Sequence, residues 1–211
     1  QLKDLLNCDL KTLYPLARSM NRKLEFYVGP TNSGKTYNAM KKLKEANSGL
    51  YLAPLRLLAL EGYEDLKESK IEASLITGEE QQLSEDAAHI CSTIEMLDFD
   101  LEVDVAVIDE VQMLEDNDRG WAWVNAIIGV PAKKVIMTGS VNALEAVKRI
   151  VQYLDEELEV VRHKRKNPLL VLQKWTPLEK LENGTALIAF SRAEVLKLKQ
   201  KLQKKYSVSV I

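Results

Sequence analysis

Residues 29–36, Gly29-Pro30-Thr31-Asn32-Ser33-Gly34-Lys35-Thr36, fit a pattern of Gly, four free positions, Gly-Lys-Ser/Thr. Residues 24–28 before them read as a buried strand, and residues 37–46 after them as a helix. Strand, tight loop and helix in that order leave few folds open. The loop has to sit where a sheet strand hands over to a helix. Gly29 and Gly34 allow backbone angles that side chains would block. The N–H groups of residues 29–34 can then wrap a phosphate chain at the positive end of the helix. Thr31, Asn32 and Ser33 complete the wrap, Lys35 reaches β- and γ-phosphates, and Thr36 holds Mg²⁺. A chance match in a turn would not carry both flanking elements.

The rest of the chain continues the alternation. Strands are expected at 50–53, 72–76, 87–91, 103–108 and 134–137, with helices at 54–68, 121–128 and 144–154. The run 103–108 is rich in β-branched residues, the mark of a central strand buried on both faces. Strands alternating with helices of this length predict an α/β fold with a parallel sheet flanked by helices. Residues 1–20 read as an amphipathic helical lead-in with Leu2, Leu5, Leu6, Leu10 and Leu13 on one side and Pro15 interrupting it. Residues 21–165 make the main domain.

Near residue 162 the chain changes character. Residues 1–161 hold 17 basic and 28 acidic residues, whereas residues 162–211 hold 12 and 3. A break of that size separates two units with different surfaces. Residues 168–211 read as the start of a second α/β unit, with strands at 169–172, 185–190 and 207–211, a turn at Asn183-Gly184 and a helix at 193–205. Some 45 residues are too few to close a second doubly wound domain. A solvated helix face is the plain alternative for the basic run 197–205.

No apolar run reaches membrane-spanning length. Cys8 and Cys91 are isolated, which argues against a zinc cluster or disulfide framework and suits a reducing compartment. His89 and His163 have no metal-ligand spacing. The chain opens on Gln1 with no secretory signal, as a processed protein or a piece of one would.

Two strand ends carry chemistry. Asp109-Glu110-Val111-Gln112 follows the 103–108 run, where open α/β sheets hold their ligands. Acid pairs at strand ends are usually solvated turns, but a phosphate-type loop upstream reverses the balance. Asp109 then partners Mg²⁺ and Glu110 polarises an attacking water. Thr138-Gly139-Ser140 follows another strand, and Ser140 can also cap the next helix. Trp121 and Trp123 read as packing residues. Trp175 reads as a core or domain-contact residue, with base stacking as the alternative.

These motifs together resemble the degradosome-type RNA helicases of mitochondria and their bacterial relatives, in the DExH-type branch of superfamily two. Residues 17–23 resemble the lead-in of that family, and Ala53-Pro54-Leu55-Arg56-Leu57-Leu58-Ala59 its motif Ia. Thr77-Gly78-Glu79-Glu80 resembles motif Ib, and Cys91-Ser92-Thr93-Ile94-Glu95-Met96 the motif after it. Thr138-Gly139-Ser140 sits at motif III, and Ala189-Phe190-Ser191-Arg192 resembles motif IV. The resemblance implies two RecA-like domains, the second truncated here, with ATP·Mg²⁺ between them. It implies a nucleic-acid strand, RNA over DNA, crossing Pro54, Leu55, Arg56, Thr77, Gly78, Ser92, Thr93, Ser191 and Arg192. It implies coupling through Gln112, Thr138, Gly139 and Ser140, and an exoribonuclease partner. The chain ends before the family's motifs V and VI, which carry its arginine fingers, so residues 1–211 alone are expected to turn ATP over slowly.

Two other readings stay open on the sequence. Thymidine kinases of the cytosolic type also join a Gly-Pro-x-x-Ser-Gly-Lys loop to Asp-Glu-x-Gln, but they carry a zinc lasso that two unpaired cysteines cannot form. A nucleotide-binding switch without catalysis is the third. A bacterial cytoplasm is the favoured compartment, with the mitochondrial matrix implied by the resemblance.

Overall fold

Leu24, Phe26 and Val28 alternate with Glu25 and Tyr27, and this stretch forms strand β1 (Lys23–Val28). The computed structural model describes residues 9–165, 170–171 and 173–210. In chain order the further strands are β2 (Gly49–Ala53), β3 (Ala73–Ile76), β4 (Gln81–Gln82), β5 (His89–Thr93), β6 (Val103–Ile108), β7 (Ala132–Gly139) and β8 (Leu158–Arg162). They form one sheet in the order β4-β3-β5-β2-β6-β7-β1-β8. Every neighbouring pair is parallel except β3 with β4. This is the expected α/β class.

Helices cover both faces. On one side lie α2 (Lys35–Lys44) and α3 (Arg56–Glu68), whose Ala39, Leu43, Ala59 and Leu66 pack on Tyr27, Tyr51, Val107 and Ile136. On the other lie α4 (Gly120–Gly129) and α5 (Leu144–Tyr153), whose Trp123, Ile127, Val147 and Val151 pack on Phe26, Leu52, Ile108 and Met137. Successive strand residues feed opposite cores, as the two-residue period of a strand requires. Each fully buried large side chain contributes about 1.5–3 kcal/mol. A charge at Val107 would therefore break the face that carries α2.

The lead-in differs from the expected helix. Among the described residues it is a short 3-10 turn (Leu10–Leu13) followed by α1 (Pro15–Ser19). Pro15 opens α1 at a position where its missing N–H costs nothing. Leu10 and Leu13 face solvent, and Tyr14 and Ala17 are the buried pair. Leu2, Leu5 and Leu6 lie outside the described residues. Gly129 ends α4 against Tyr14: a Cβ there would stand 2.3 Å from the ring.

Two arginines fix this segment to the body. Arg22 is 5% exposed and donates to the carbonyls of Val130 (3.0 Å) and Ile127 (3.1 Å) and, through two nitrogens, to Glu156. Arg18 donates to the Ile128 carbonyl at 2.7 Å and pairs with Glu156 at 3.2 Å. Both satisfy carbonyls at the end of α4 that have no partner within the helix.

The chain divides after residue 167 into two units. The second contains a 3-10 turn (Leu178–Lys180) and α6 (Arg192–Leu202). The residues of the strand expected at 185–190 have no ladder partners, nor do the described residues of the one expected at 207–211. A strand exists only through hydrogen bonds to a neighbour, and the described residues of this unit supply none. Of the strand expected at 169–172, Leu169 and Leu172 lie outside the described residues. Leu170, Val171, Ile188 and Phe190 are exposed, and so is Trp175, contrary to its expected core role.

Candidate active site

The loop between β1 and α2 folds as its glycines require. Gly34 has φ +79°, and Asn32, whose side chain tolerates the left-handed region, has φ +58°. Gly29 is needed for a close approach: a Cβ there would lie 2.5 Å from the His163 carbonyl. Lys35 is buried, and its Nζ donates to the Pro30 carbonyl at 2.8 Å, which bends the side chain back over the loop. The Ser33 hydroxyl is buried with no hydrogen-bond partner. A buried hydroxyl left without a partner in this loop suits an anion's oxygen. Arg165 Nε donates to the Thr31 carbonyl at 2.9 Å and braces the loop from outside.

Asp109 is the hub. It is 3% exposed, one residue past the end of β6. Thr36 Oγ1 donates to its Oδ1 at 3.0 Å, and Thr138 Oγ1 also donates to Oδ1. Tyr51 OH donates to Oδ2 at 3.0 Å. The Asp109 backbone is held as well. Its N–H donates to the Leu52 carbonyl at 3.0 Å, and its carbonyl accepts from Trp123 Nε1 at 2.9 Å. Burial and the neighbouring Asp109 carboxylate push the Tyr51 phenol upward, so it is a donor at any working pH. A hydroxyl and a carboxylate side by side are hard oxygen donors, the set Mg²⁺ takes from a protein when substrate phosphates and water complete its shell. Thr36 and Asp109 fit that ion.

Glu110 follows with φ +53°, a left-handed conformation uncommon for a residue with a long side chain. Backbone of this kind persists where its surroundings fix it, and often at working sites. Its N–H donates to Thr138 Oγ1 at 3.3 Å, and its carboxylate accepts from Gln112 Nε2. Gln112 Oε1 in turn accepts from the N–H of Ser140 at 3.0 Å. Gly139 leaves room for this: a Cβ would come within 2.8 Å of Val111 Cγ2 and 3.0 Å of Gln112 Oε1. The Gly139 carbonyl accepts from the Gly29 N–H at 3.1 Å. Phosphate-type loop, acid pair and Thr138-Gly139-Ser140 are thus one bonded assembly. Beside it a cavity of about 560 Å³ opens between α2 and α3, reaching Thr36, Tyr51, Asp109 and Glu110.

The residues expected to meet a nucleic-acid strand are less uniform. Leu55, Arg56 and Gly78 are exposed at strand ends, and Thr93 is half-buried. Arg56 is paired with Glu79. Thr77 is 2% exposed, and its hydroxyl donates to the Glu80 carbonyl at 3.1 Å while accepting from the Glu80 N–H at 3.0 Å. Ser92 is 1% exposed, inside β5. The structure thus makes Thr77 a turn residue and Ser92 an interior one, and Pro54 is buried too. In the second unit Ser191 caps α6 by accepting from the Glu194 N–H at 3.2 Å, and Arg192 is exposed.

Arg119 is the residue sequence reasoning missed. It donates to the Pro54 carbonyl at 2.6 Å and to Glu95 at 2.8 Å, and its guanidinium lies 5.4 Å from the centre of the Trp123 ring. It therefore ties the ends of β2 and β5 to α4. Its signal was its isolation: it is the one Lys or Arg between Lys70 and Lys133. Trp123 is buried as expected, but Trp121 is 57% exposed and is not a packing residue. His89 is interior, with Nε2 3.0 Å from the Leu43 carbonyl. Among the described residues no group of His, Cys, Asp and Glu could hold a further metal.

Comparison with known proteins agrees with this arrangement. The chain is 40% identical over 195 residues to the ATP-dependent RNA helicase SUV3 homolog, mitochondrial, of Caenorhabditis elegans, covering 90% of this chain and 27% of that protein. It is 39% identical over 204 residues to the ATP-dependent RNA helicase SUV3, mitochondrial, of Saccharomyces cerevisiae, covering 93% and 28%. It is 39% identical over 195 residues to the DExH-box ATP-dependent RNA helicase DExH18, mitochondrial, of Arabidopsis thaliana, covering 92% and 25%. The chain therefore spans about a quarter of the length of these relatives. The thymidine-kinase alternative falls with this match. The family described as the DEXQ-box helicase domain of Suv3 matches residues 11–163, and its four-letter signature is Asp109-Glu110-Val111-Gln112: the chain belongs to that family.

Proposed function

We propose that the intact protein is an ATP-dependent RNA helicase whose first ATP-binding half is residues 21–165. The observation that carries this reading is the 3.0 Å hydrogen bond from Thr36 to Asp109, which joins the loop to the end of β6. A bound Mg²⁺ would supply positive charge to offset that of the phosphates. Thr36 and Asp109 are the residues to hold it, because the Thr36 hydroxyl keeps lone pairs free while its proton stays on Asp109. Lys35 exchanges the Pro30 carbonyl for phosphate oxygens. Glu110 orients the attacking water and accepts its proton, and Gln112 fixes that carboxylate from the side.

RNA is the proposed track, crossing the sheet edge of the first unit at Leu55, Arg56, Gly78 and Thr93; within the second unit, Ser191 and Arg192 are proposed as nucleic-acid contacts in their own right. The hydroxyl, exposed backbone and arginine found there suit phosphate oxygens and carry no base code, as a motor on any sequence requires. The second unit is proposed as the start of a second RecA-like domain, for which its basic composition and motif IV-like Ala189-Phe190-Ser191-Arg192 speak. An exoribonuclease partner and the mitochondrial matrix belong to the same proposal. The relatives named above are called mitochondrial, and the bacterial cytoplasm finds no support among them. No helix among the described residues is long and apolar enough to cross a membrane.

The test is ATP turnover by the intact protein with and without single-stranded RNA, alongside unwinding of an RNA duplex. RNA-stimulated turnover with strand separation supports the reading. Nucleotide binding that RNA leaves unchanged, with no turnover, would instead identify a switch.

A further inference from the structure

Tyr51 lies in the middle of β2, and nothing in the motifs around it marks it for function. Its ring is 3% exposed, and it reaches from one strand to the acid at the end of the next. The hydroxyl donates to Asp109 Oδ2 at 3.0 Å. Thr36 and Thr138 both bond the other oxygen, Oδ1. Tyr51 is therefore the only side-chain donor on Asp109 Oδ2 among the described residues, and with the two bonds on Oδ1 it fixes the rotation of the carboxylate about its last bond. The ring has been given space on purpose. Gly62 of α3 stands against it, and a Cβ at Gly62 would come within 2.6 Å of the ring carbon Cδ1 and 2.7 Å of Cε1. A helix residue with any side chain would displace the ring and its hydroxyl from Asp109.

We propose that Tyr51 is a positioning residue for the divalent cation. It holds the Asp109 carboxylate in the orientation that the ion and the bound phosphates require, and Gly62 is the residue that lets it do so. This rests on the reading of Asp109 as the cation-side acid. Partners that orient a ligating carboxylate change metal affinity by about 10–100-fold when lost. The Tyr51 hydroxyl is committed to Asp109, so its loss acts through that carboxylate. A phenylalanine fills the same space and removes only the hydroxyl.

The experiment titrates Mn²⁺ into the intact protein holding a non-hydrolysable ATP analogue and follows bound Mn²⁺ by electron paramagnetic resonance. Tyr51→Phe is expected to need about tenfold more Mn²⁺ for half-saturation. Its affinity for the analogue in EDTA should match the parent protein's, while its unfolding temperature falls with the lost buried hydrogen bond. Gly62→Ala, which keeps the hydroxyl but crowds its ring, should shift the titration in the same direction. A Tyr51→Phe titration that overlays the parent's overturns the inference and leaves the helicase reading standing. So does a loss of analogue affinity in EDTA equal to the loss in Mn²⁺, since the effect would then be general. A parent protein whose nucleotide binding ignores the cation overturns the reading of Asp109 itself, and this inference with it.

Discussion

Gln112 accepts a hydrogen bond from the Ser140 N–H at 3.0 Å through one end of its amide and donates to Glu110 through the other. One side chain thus connects the Glu110 carboxylate to the segment after β7. Movement of either is felt by the other.

That link predicts uncoupling. Gln112→Ala frees Glu110 and Ser140 from each other but leaves the loop and Asp109 in place. Unwinding per ATP consumed should fall by at least about tenfold, within the range typical of coupling between sites. Basal turnover should fall by less. Parallel measurement of strand separation and phosphate release checks this, and an equal fall in both would assign Gln112 to the chemical step.

Binding and chemistry should separate at neighbouring positions. Lys35→Ala should abolish ATP binding, because the buried ammonium has no substitute among the loop's side chains. Asp109→Asn should mainly remove the Mg²⁺ dependence. Glu110→Gln should keep the ATP dissociation constant and lower kcat by about 10²–10⁴, the range for loss of a general base. Equilibrium titration with a fluorescent ATP analogue, followed by single-turnover hydrolysis, distinguishes the three. Weak binding with normal turnover in Glu110→Gln would remove it from the water-positioning role.

At the sheet edge, Arg56 is held only by an exposed pairing with Glu79. Such pairs contribute about 0–1 kcal/mol and exchange readily, so the guanidinium is available to a phosphate. Arg56→Ala should weaken RNA binding for all sequences alike and reduce the salt slope by about one unit. Thr93→Ala should weaken it without changing the slope. Glu79→Ala should raise affinity, because the competing carboxylate is gone. Fluorescence anisotropy over a range of salt concentrations measures all three. An unchanged affinity and slope in Arg56→Ala would put the strand elsewhere.

The lead-in gives a stability prediction. Arg22 places a buried charge between two helix-end carbonyls and the Glu156 carboxylate. Arg22→Ala leaves Glu156 partly buried with its pairing reduced to Arg18, at a cost of about 3–5 kcal/mol. Urea unfolding should show the midpoint falling with the slope unchanged. Arg22→Lys should recover only part of the loss, since an ammonium cannot reproduce the planar fork.

What the sequence made legible follows from which signals are local. The loop at 29–36 and β6 are punctuated by glycines and β-branched residues, and both form where the pattern puts them. The sheet's edge strands were not legible. β4 is two residues long, and β8 carries Glu159 and Arg162 among its apolar residues, as a strand open on one side can. Which way the hydroxyls at strand ends face was not legible for a different reason. Whether Thr77 or Ser92 faces out depends on where each strand stops, and a shift of one residue reverses the side chain. The left-handed backbone of Glu110, the reach of Tyr51 and the bridge made by Arg119 depend on neighbours far along the chain, which no local pattern records.

Strand β1 carries the phosphate-type loop, yet it pairs only with β7 and β8, so it has no sheet neighbour until Lys134 and Leu158 have been made. The His163 carbonyl that closes on Gly29 is added later still. On a growing chain, then, β2, β3, β5 and β6 can assemble first while the loop's own strand waits with both edges open. The phosphate-type loop thus gains the backbone that frames it only once most of the first unit has been synthesised.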